Sequence, residues 1–281
     1  MIESSRCSGS TRQWGRRHEI RRCPFRCQAW NILKGAVPVS RFDAYVMMCL
    51  AVLIGWGSLL FFGAFLVVGP IPTIRFDISE RQALLWDGLL SVLFFIQHSV
   101  MIRKSFRAWL APVVSSHYQP AIYAIASGIA LTAAVLLWQP SRTVLHQAEG
   151  PLRWLARTFS VLAVVGFAWG VLALGNFDAF GIGPIRAHLR NRRPRAPAVI
   201  IRGPYLRVRH PLYFFMLVLI WSFPDVRLDR LLFNVLWTLW IVLGTYLEEK
   251  DLVAEFGERY REYQKTVPML FPWRFPRDSG P

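Results

Sequence analysis

"DAYVMMCLAVLIGWGSLLFFGAFLVV", residues Asp43 to Val68, carries one acid at its first position and no charge after it. A bilayer core is crossed by about 20 apolar residues as a helix rising about 1.5 Å per residue. The stretch is long enough, and it sets how the rest of the chain is read. Further apolar runs follow at about 83–102, 119–138, 154–174, 212–224 and 231–247. The run at 212–224 is short, so it tilts, starts deeper, or forms a hairpin with the next run that does not fully cross. The expected class is all-α: a polytopic transmembrane helical bundle of about six membrane segments. Composition agrees, since 54% of the 281 residues are hydrophobic and 18% are charged, against about a quarter charged in soluble domains.

The net charge is +16. In a soluble protein that excess would suggest nucleic acid. In a membrane protein Lys and Arg collect in cytoplasmic connections and fix orientation, so no nucleic-acid partner is expected. Of the 33 basic residues, 26 fall in the N-terminal tail, the connections 103–118 and 175–211, and the segment after Leu247. The other connections, 69–82, 139–153 and 225–230, hold 6, and Arg157 lies inside a run. This alternation places both termini in the cytoplasm.

Residues 1–41 form a basic tail without an apolar stretch of signal-peptide length. The tail is expected to be disordered and to touch anionic lipid; residues 42–281 form the membrane domain. Cys23 and Cys27 have only His18 nearby, short of the four ligands of a structural zinc site, so no metal is expected. After Leu247, Glu249, Leu252, Phe256, Tyr260 and Tyr263 recur every three or four residues. That period predicts an amphipathic C-terminal helix along the cytoplasmic interface, with the tyrosines as packing.

Candidate chemistry begins at "RGPYLRVRHPLYFF", Arg202 to Phe215. Pro211 suits the first turn of a helix, with His210 as its N-cap. Arg207 and Arg209 share a side if the segment is extended, and Gly203-Pro204 supplies a turn. Free N–H groups and these cations make an anion pocket. Glu248 and Glu249 end the last apolar run, where a charge needs a partner. Arg209 and His210 are therefore expected to meet them. The outcome is either a structural ion pair or a pocket for a zwitterion. His98, inside the apolar "FFIQHSVM", either bonds a neighbouring helix, with Gln97 as partner, or handles a proton. Asp178 reads as a helix-end residue, and Gly181-Ile182-Gly183 lacks the strand that a dinucleotide fold needs.

"GPYLRVRHPLY" followed by "EEKDLVAEFGERYREYQKTVPMLFP" resembles the membrane methyltransferases related to isoprenylcysteine carboxyl methyltransferase and phospholipid N-methyltransferases. "LFFIQHSVMIRKSFRAWL", "YAIASGIALTAAVLLWQP" and "NFDAFGIGPIRAHL" look like the methanethiol S-methyltransferases of the nurim-related branch. The resemblance implies S-adenosylmethionine as cofactor, bound by Arg209, His210, Pro211, Tyr213, Glu248 and Glu249, with Gly203 and Tyr205 shaping the approach. It implies methyl transfer to methanethiol, giving dimethyl sulfide. The expected partners are this small thiol and membrane lipid; no obligate protein partner follows. His98, His210 and Glu248 remain open as the base for the thiol proton. Other acceptors, a prenylcysteine carboxylate or a lipid amine, and a non-catalytic nurim-like role are the alternatives. Reporter fusions at the two termini should both read cytoplasmic; an external signal from either end contradicts the charge count.

Overall fold

The computed structural model describes residues 40–70, 74–175, 177–192 and 198–273; the basic tail, with Cys7, Cys23 and Cys27, lies outside them. Helix α1 (Arg41–Val68) starts at a reciprocal cap, in which Ser40 Oγ accepts from Asp43 N and the Asp43 carboxylate accepts from Ser40 N. Next come α2 (Glu80–Ile102), the short α3 (Lys104–Leu110) and α4 (Gln119–Leu136). Strand β1 (Val144–Gln147), α5 (Gly150–Leu174), α6 (Ile182–Leu189) and a single 3-10 turn (Gly203–Leu206) follow. The chain continues through α7 (Pro211–Trp221), β2 (Asp225–Arg227), α8 (Leu228–Phe256) and α9 (Glu258–Thr266). Helices α1, α2, α4, α5 and α8 are long and apolar enough to cross a membrane. Only 22–39% of the residues in their most apolar stretches are buried, and Leu53, Leu60, Leu85, Trp154 and Leu172 stand exposed. Such faces are stable only against hydrocarbon. The chain is a multi-pass integral membrane protein.

Among the described residues five helices are long enough to span, and the sixth expected segment, α7, is short as anticipated, with 11 residues, about 16 Å. It still traverses the bundle. His210 at its start bonds Glu249, and just beyond its end Ser222 meets Ser160 while Pro224 O accepts from Ala148 N. Non-helical Ser222–Pro224 covers the remaining depth and leads into an antiparallel ribbon, Val144 opposite Arg227 and Gln147 opposite Asp225. The ribbon was not expected from sequence. Its strands are short and lie some 80 residues apart.

A second departure lies at the C-terminal end. Helix α8 does not stop near Leu247 but runs to Phe256. Gly257, at φ +60°, breaks it, and α9 begins at once. The single interfacial helix is therefore two pieces: about two and a half turns extending α8 and a separate α9.

Small residues and aromatics hold the helices together. A Cβ on Gly128 of α4 would meet Ile54 Cγ2 at 2.9 Å and the Ile54 carbonyl oxygen at 3.2 Å. In hydrocarbon, where burial of apolar area drives little association, such close backbone approach does much of the work. Gly166 likewise seats the Phe215 ring of α7 against α5. Trp237 is the centre of the core: Phe62, Phe94 and Phe233 lie 4.9, 5.2 and 4.8 Å from it between ring centroids. Gly128→Leu should lower the thermal midpoint in detergent, at a cost of about 1–3 kcal/mol for overpacking. An unchanged midpoint would contradict the close α1–α4 approach.

Candidate active site

Arg209 and Glu249 meet as anticipated, but as a closed pair. Arg209 Nε donates to Glu249 Oε1 at 3.0 Å and Nη2 to Oε2 at 2.8 Å, the two-point geometry that makes such pairs strong. His210 Nε2 lies 2.7 Å from Oε1. A carboxylate only accepts, so this nitrogen carries the proton. The Tyr260 hydroxyl donates to Oε1 at 2.7 Å and Gln264 Nε2 to Oε2. Arg209 Nη1 donates to the carbonyls of Gln264 and Val267. Every nitrogen of the guanidinium is engaged, and both Glu249 oxygens are saturated. No ligand fits between them.

The closed cluster fastens the C-terminal segment onto the bundle. Arg209 N donates to Pro268 O and His210 N to Met269 O, so this segment covers the chain just before α7. Pro211 occupies the first turn of α7, and His210 caps it without a side-chain bond. Arg207 points away, exposed, because its backbone is helical (φ −102°, ψ −40°) rather than extended. It does not share a side with Arg209. Tyr260 and Tyr263 are buried and do more than pack: Tyr263 donates to the Tyr205 carbonyl. Burial, then the bond to Glu249, pushes the Tyr260 phenol above its usual range, so it stays a donor.

Glu248 is placed differently. Its side chain is 43% exposed, against 7% for Glu249. It accepts one close hydrogen bond, from the Tyr213 hydroxyl at 2.7 Å, and His210 Nδ1 lies 3.9 Å away. The phenols of Tyr205 and Tyr123 are within reach of its charge. Burial, then that charge, pushes the Tyr205 phenol up to about 12. Gly203, at φ +60°, opens the 3-10 turn that carries Tyr205; a Cβ there would press on Ala173 at 3.2 Å.

On the opposite wall His98 bonds Tyr123 of α4, hydroxyl to Nε2, at 2.8 Å. Gln97 is not its partner: it donates to Ser127 Oγ and Met101 S. Trp240 and Phe94 flank the His98 ring at 5.2 and 5.4 Å. Tyr123, Tyr260 and Gln264 were not singled out as site residues from sequence. Only the periodicity placing Tyr260 on the Glu249 side of the C-terminal segment hinted at one of the three. Asp178 caps α6, accepting from Ile182 N at 2.9 Å and Gly183 N at 2.6 Å, the helix-end role expected of it. Gly181, at φ +68°, lies against the Pro120–Ala121 backbone.

The methanethiol S-methyltransferase of Pseudomonas deceptionensis is 39% identical over 199 residues, 69% of this chain and 74% of that protein. This chain belongs to the methanethiol S-methyltransferase family. Methanethiol S-methyltransferase 1 of Bradyrhizobium diazoefficiens, 33% identical over 245 residues, covers 84% of each chain. The nurim of Rattus norvegicus is more distant, 28% identical over 194 residues, 63% of this chain and 70% of its own. No protein-family model matches the chain, and no solved structure does.

Within this family member the two adjacent glutamates divide their work, one closed into structure and one open. Glu249→Gln should leave the Arg209 guanidinium buried without its counter-charge, a loss of about 3–5 kcal/mol. Faster amide exchange and proteolysis over 257–270 would register it, with Glu248→Gln unchanged in both. Equal protection in the two variants would dissolve the distinction.

Proposed function

We propose that this chain transfers the methyl group of S-adenosylmethionine to methanethiol, giving dimethyl sulfide, at the cytoplasmic end of a bundle with both termini in the cytoplasm. What supports the acceptor is relatedness at 33–39% identity to proteins named for it. What supports the cofactor is the half-exposed Glu248 with tyrosines around it. One carboxylate free to accept suits an ammonium or ribose hydroxyls, and aromatic faces suit a sulfonium cation. S-adenosylmethionine, when bound, supplies an electrophilic methyl.

In this reading Glu248, Tyr213 and Tyr205 contact the cofactor. Arg209, His210 and Glu249 act at one remove, as positioning residues that hold α7, α8 and the C-terminal segment around it. Arg107 of α3, whose charge reaches Tyr123, is a cation available for a carboxylate. The thiolate is the nucleophile, so the thiol proton needs an acceptor. His210 is committed to Glu249 at one nitrogen, and Glu248 to Tyr213. His98 is the one of the three candidates not tied to a partner in the charged cluster: Tyr123 orients the ring, its hydroxyl 2.8 Å from Nε2 and 3.2 Å from Nδ1, and the ring takes the proton. Bound S-adenosylmethionine would supply the methyl to that thiolate, its own sulfur leaving as a neutral thioether. Phe94, Trp240 and the tyrosines keep water from the site, which favours a step that cancels charge.

Glu248→Gln should weaken S-adenosylmethionine binding at least about tenfold, the scale of one hydrogen bond to a charge, in protein that remains folded. His98→Ala should keep cofactor binding while dimethyl sulfide in the headspace falls about 100-fold or more, the scale of general-base catalysis. Cofactor binding without dimethyl sulfide from the wild type would overturn the acceptor; no cofactor binding at all would favour the non-catalytic alternative.

A further inference from the structure

The face of the bundle opposite Glu248 holds 6 of the 33 basic residues in its three connections: Arg75, Arg81, Arg142, Arg153, Arg227 and Arg230. Four of them converge. Arg75, Arg227 and Arg230 line a hollow of about 310 Å³ with Asp229 and Phe223. Arg75, Arg227 and Arg142 line a second of about 350 Å³, which shares Pro140 with the first. An even scatter over three connections would not bring two-thirds of a sparse charge to one place.

The acids there do not balance it. Glu80 accepts from Ser141 and from the backbone of Arg142 and Thr143. Asp225 is paired with Arg153. Asp229 Oδ2 accepts from Trp138 at 3.1 Å, but its Oδ1 is buried and unsatisfied. Among the described residues Arg75 and Arg142 have no side-chain partner. Arg230 is 3% exposed; its terminal nitrogens reach the carbonyls of Phe65, Leu66 and Ile220, and its Nε is left without an acceptor. A buried donor and a buried acceptor thus both lack partners at the floor of a basic hollow, and native structures rarely leave such groups unmet.

We propose that these two adjoining hollows together bind a phospholipid headgroup: the phosphate against Arg75 and Arg227, which line both, with Arg142 on one side and Arg230 Nε on the other, and a headgroup hydroxyl or ammonium donating to Asp229 Oδ1. The position fits, because Val68, Gly69 and Pro70 at the end of α1 form one wall, level with the boundary where lipid phosphates lie. Heads that carry a donor, glycerol or ethanolamine, satisfy both floor groups; choline satisfies only the arginine. The site is separate from the methyltransferase reading and stands or falls without it.

Detergent-purified full-length protein is titrated by native mass spectrometry with phosphatidylglycerol, phosphatidylethanolamine and phosphatidylcholine of identical chains, and with inorganic phosphate. The glycerol and ethanolamine lipids should bind severalfold more tightly than phosphatidylcholine. Affinity should fall about fivefold for each of Arg75→Gln, Arg142→Gln and Arg227→Gln, the scale of one arginine near an anionic headgroup. Arg75→Gln, at an exposed position, keeps the test valid should either of the other variants unfold. Equal binding of all three lipids, or binding untouched by these substitutions, overturns the proposal. Protection by phosphate with no lipid retained makes the site one for a free anion and overturns the headgroup assignment.

Discussion

The two-point contact between Arg209 and Glu249 is the constraint on which the C-terminal end of this bundle rests. Each charge is buried, and each would be costly alone in a membrane protein. Together, with His210, Tyr260 and Gln264 donating to the same carboxylate, they tie the start of α7 to α8 and fold α9 back over both. The chain around Pro268–Met269 closes the arrangement through backbone bonds. A methyltransferase of this family needs a stable wall beside its reacting groups, and this cluster provides one, leaving His210 Nδ1 unbonded on the side of Glu248.

What remains for chemistry lies one residue away. Successive positions on a helix point about 100° apart, so Glu249 turns into the closed cluster while Glu248 turns toward Tyr213, Tyr205 and Tyr123. The acid doublet is therefore two functions placed side by side by helical geometry. His98 of α2 and Tyr123 of α4 form a separate bonded pair in the other half of the chain.

The spanning helices were legible because each is a long, mostly apolar run, and a bilayer admits few other solutions for such a run. The encounter of Arg209 with Glu249 was legible for a related reason: a charge at that depth must have a partner. Three things were hidden. The β ribbon joins short strands whose pairing depends on tertiary proximity. The persistence of α8 past Leu247 was masked because a change from apolar to charged residues marks a change of solvent, not the end of a helix. The bond between Tyr123 and His98 depends on which helices are neighbours, and a sequence of amphipathic or uniformly apolar helices does not state that order.

Helix α8 also carries a length. From Leu228 to Glu249 it measures about 32 Å, close to a typical hydrocarbon thickness of about 30 Å. Its neighbour α7 is pinned to it at both ends, by His210 to Glu249 and by the Ile220 carbonyl, which accepts from Arg230 of α8. A free helix answers a thinner bilayer by tilting, but tilting α8 alone would shear it past α7 and strain both attachments. The pair therefore behaves as a strut of fixed height, and a mismatched membrane must adjust its own thickness around it.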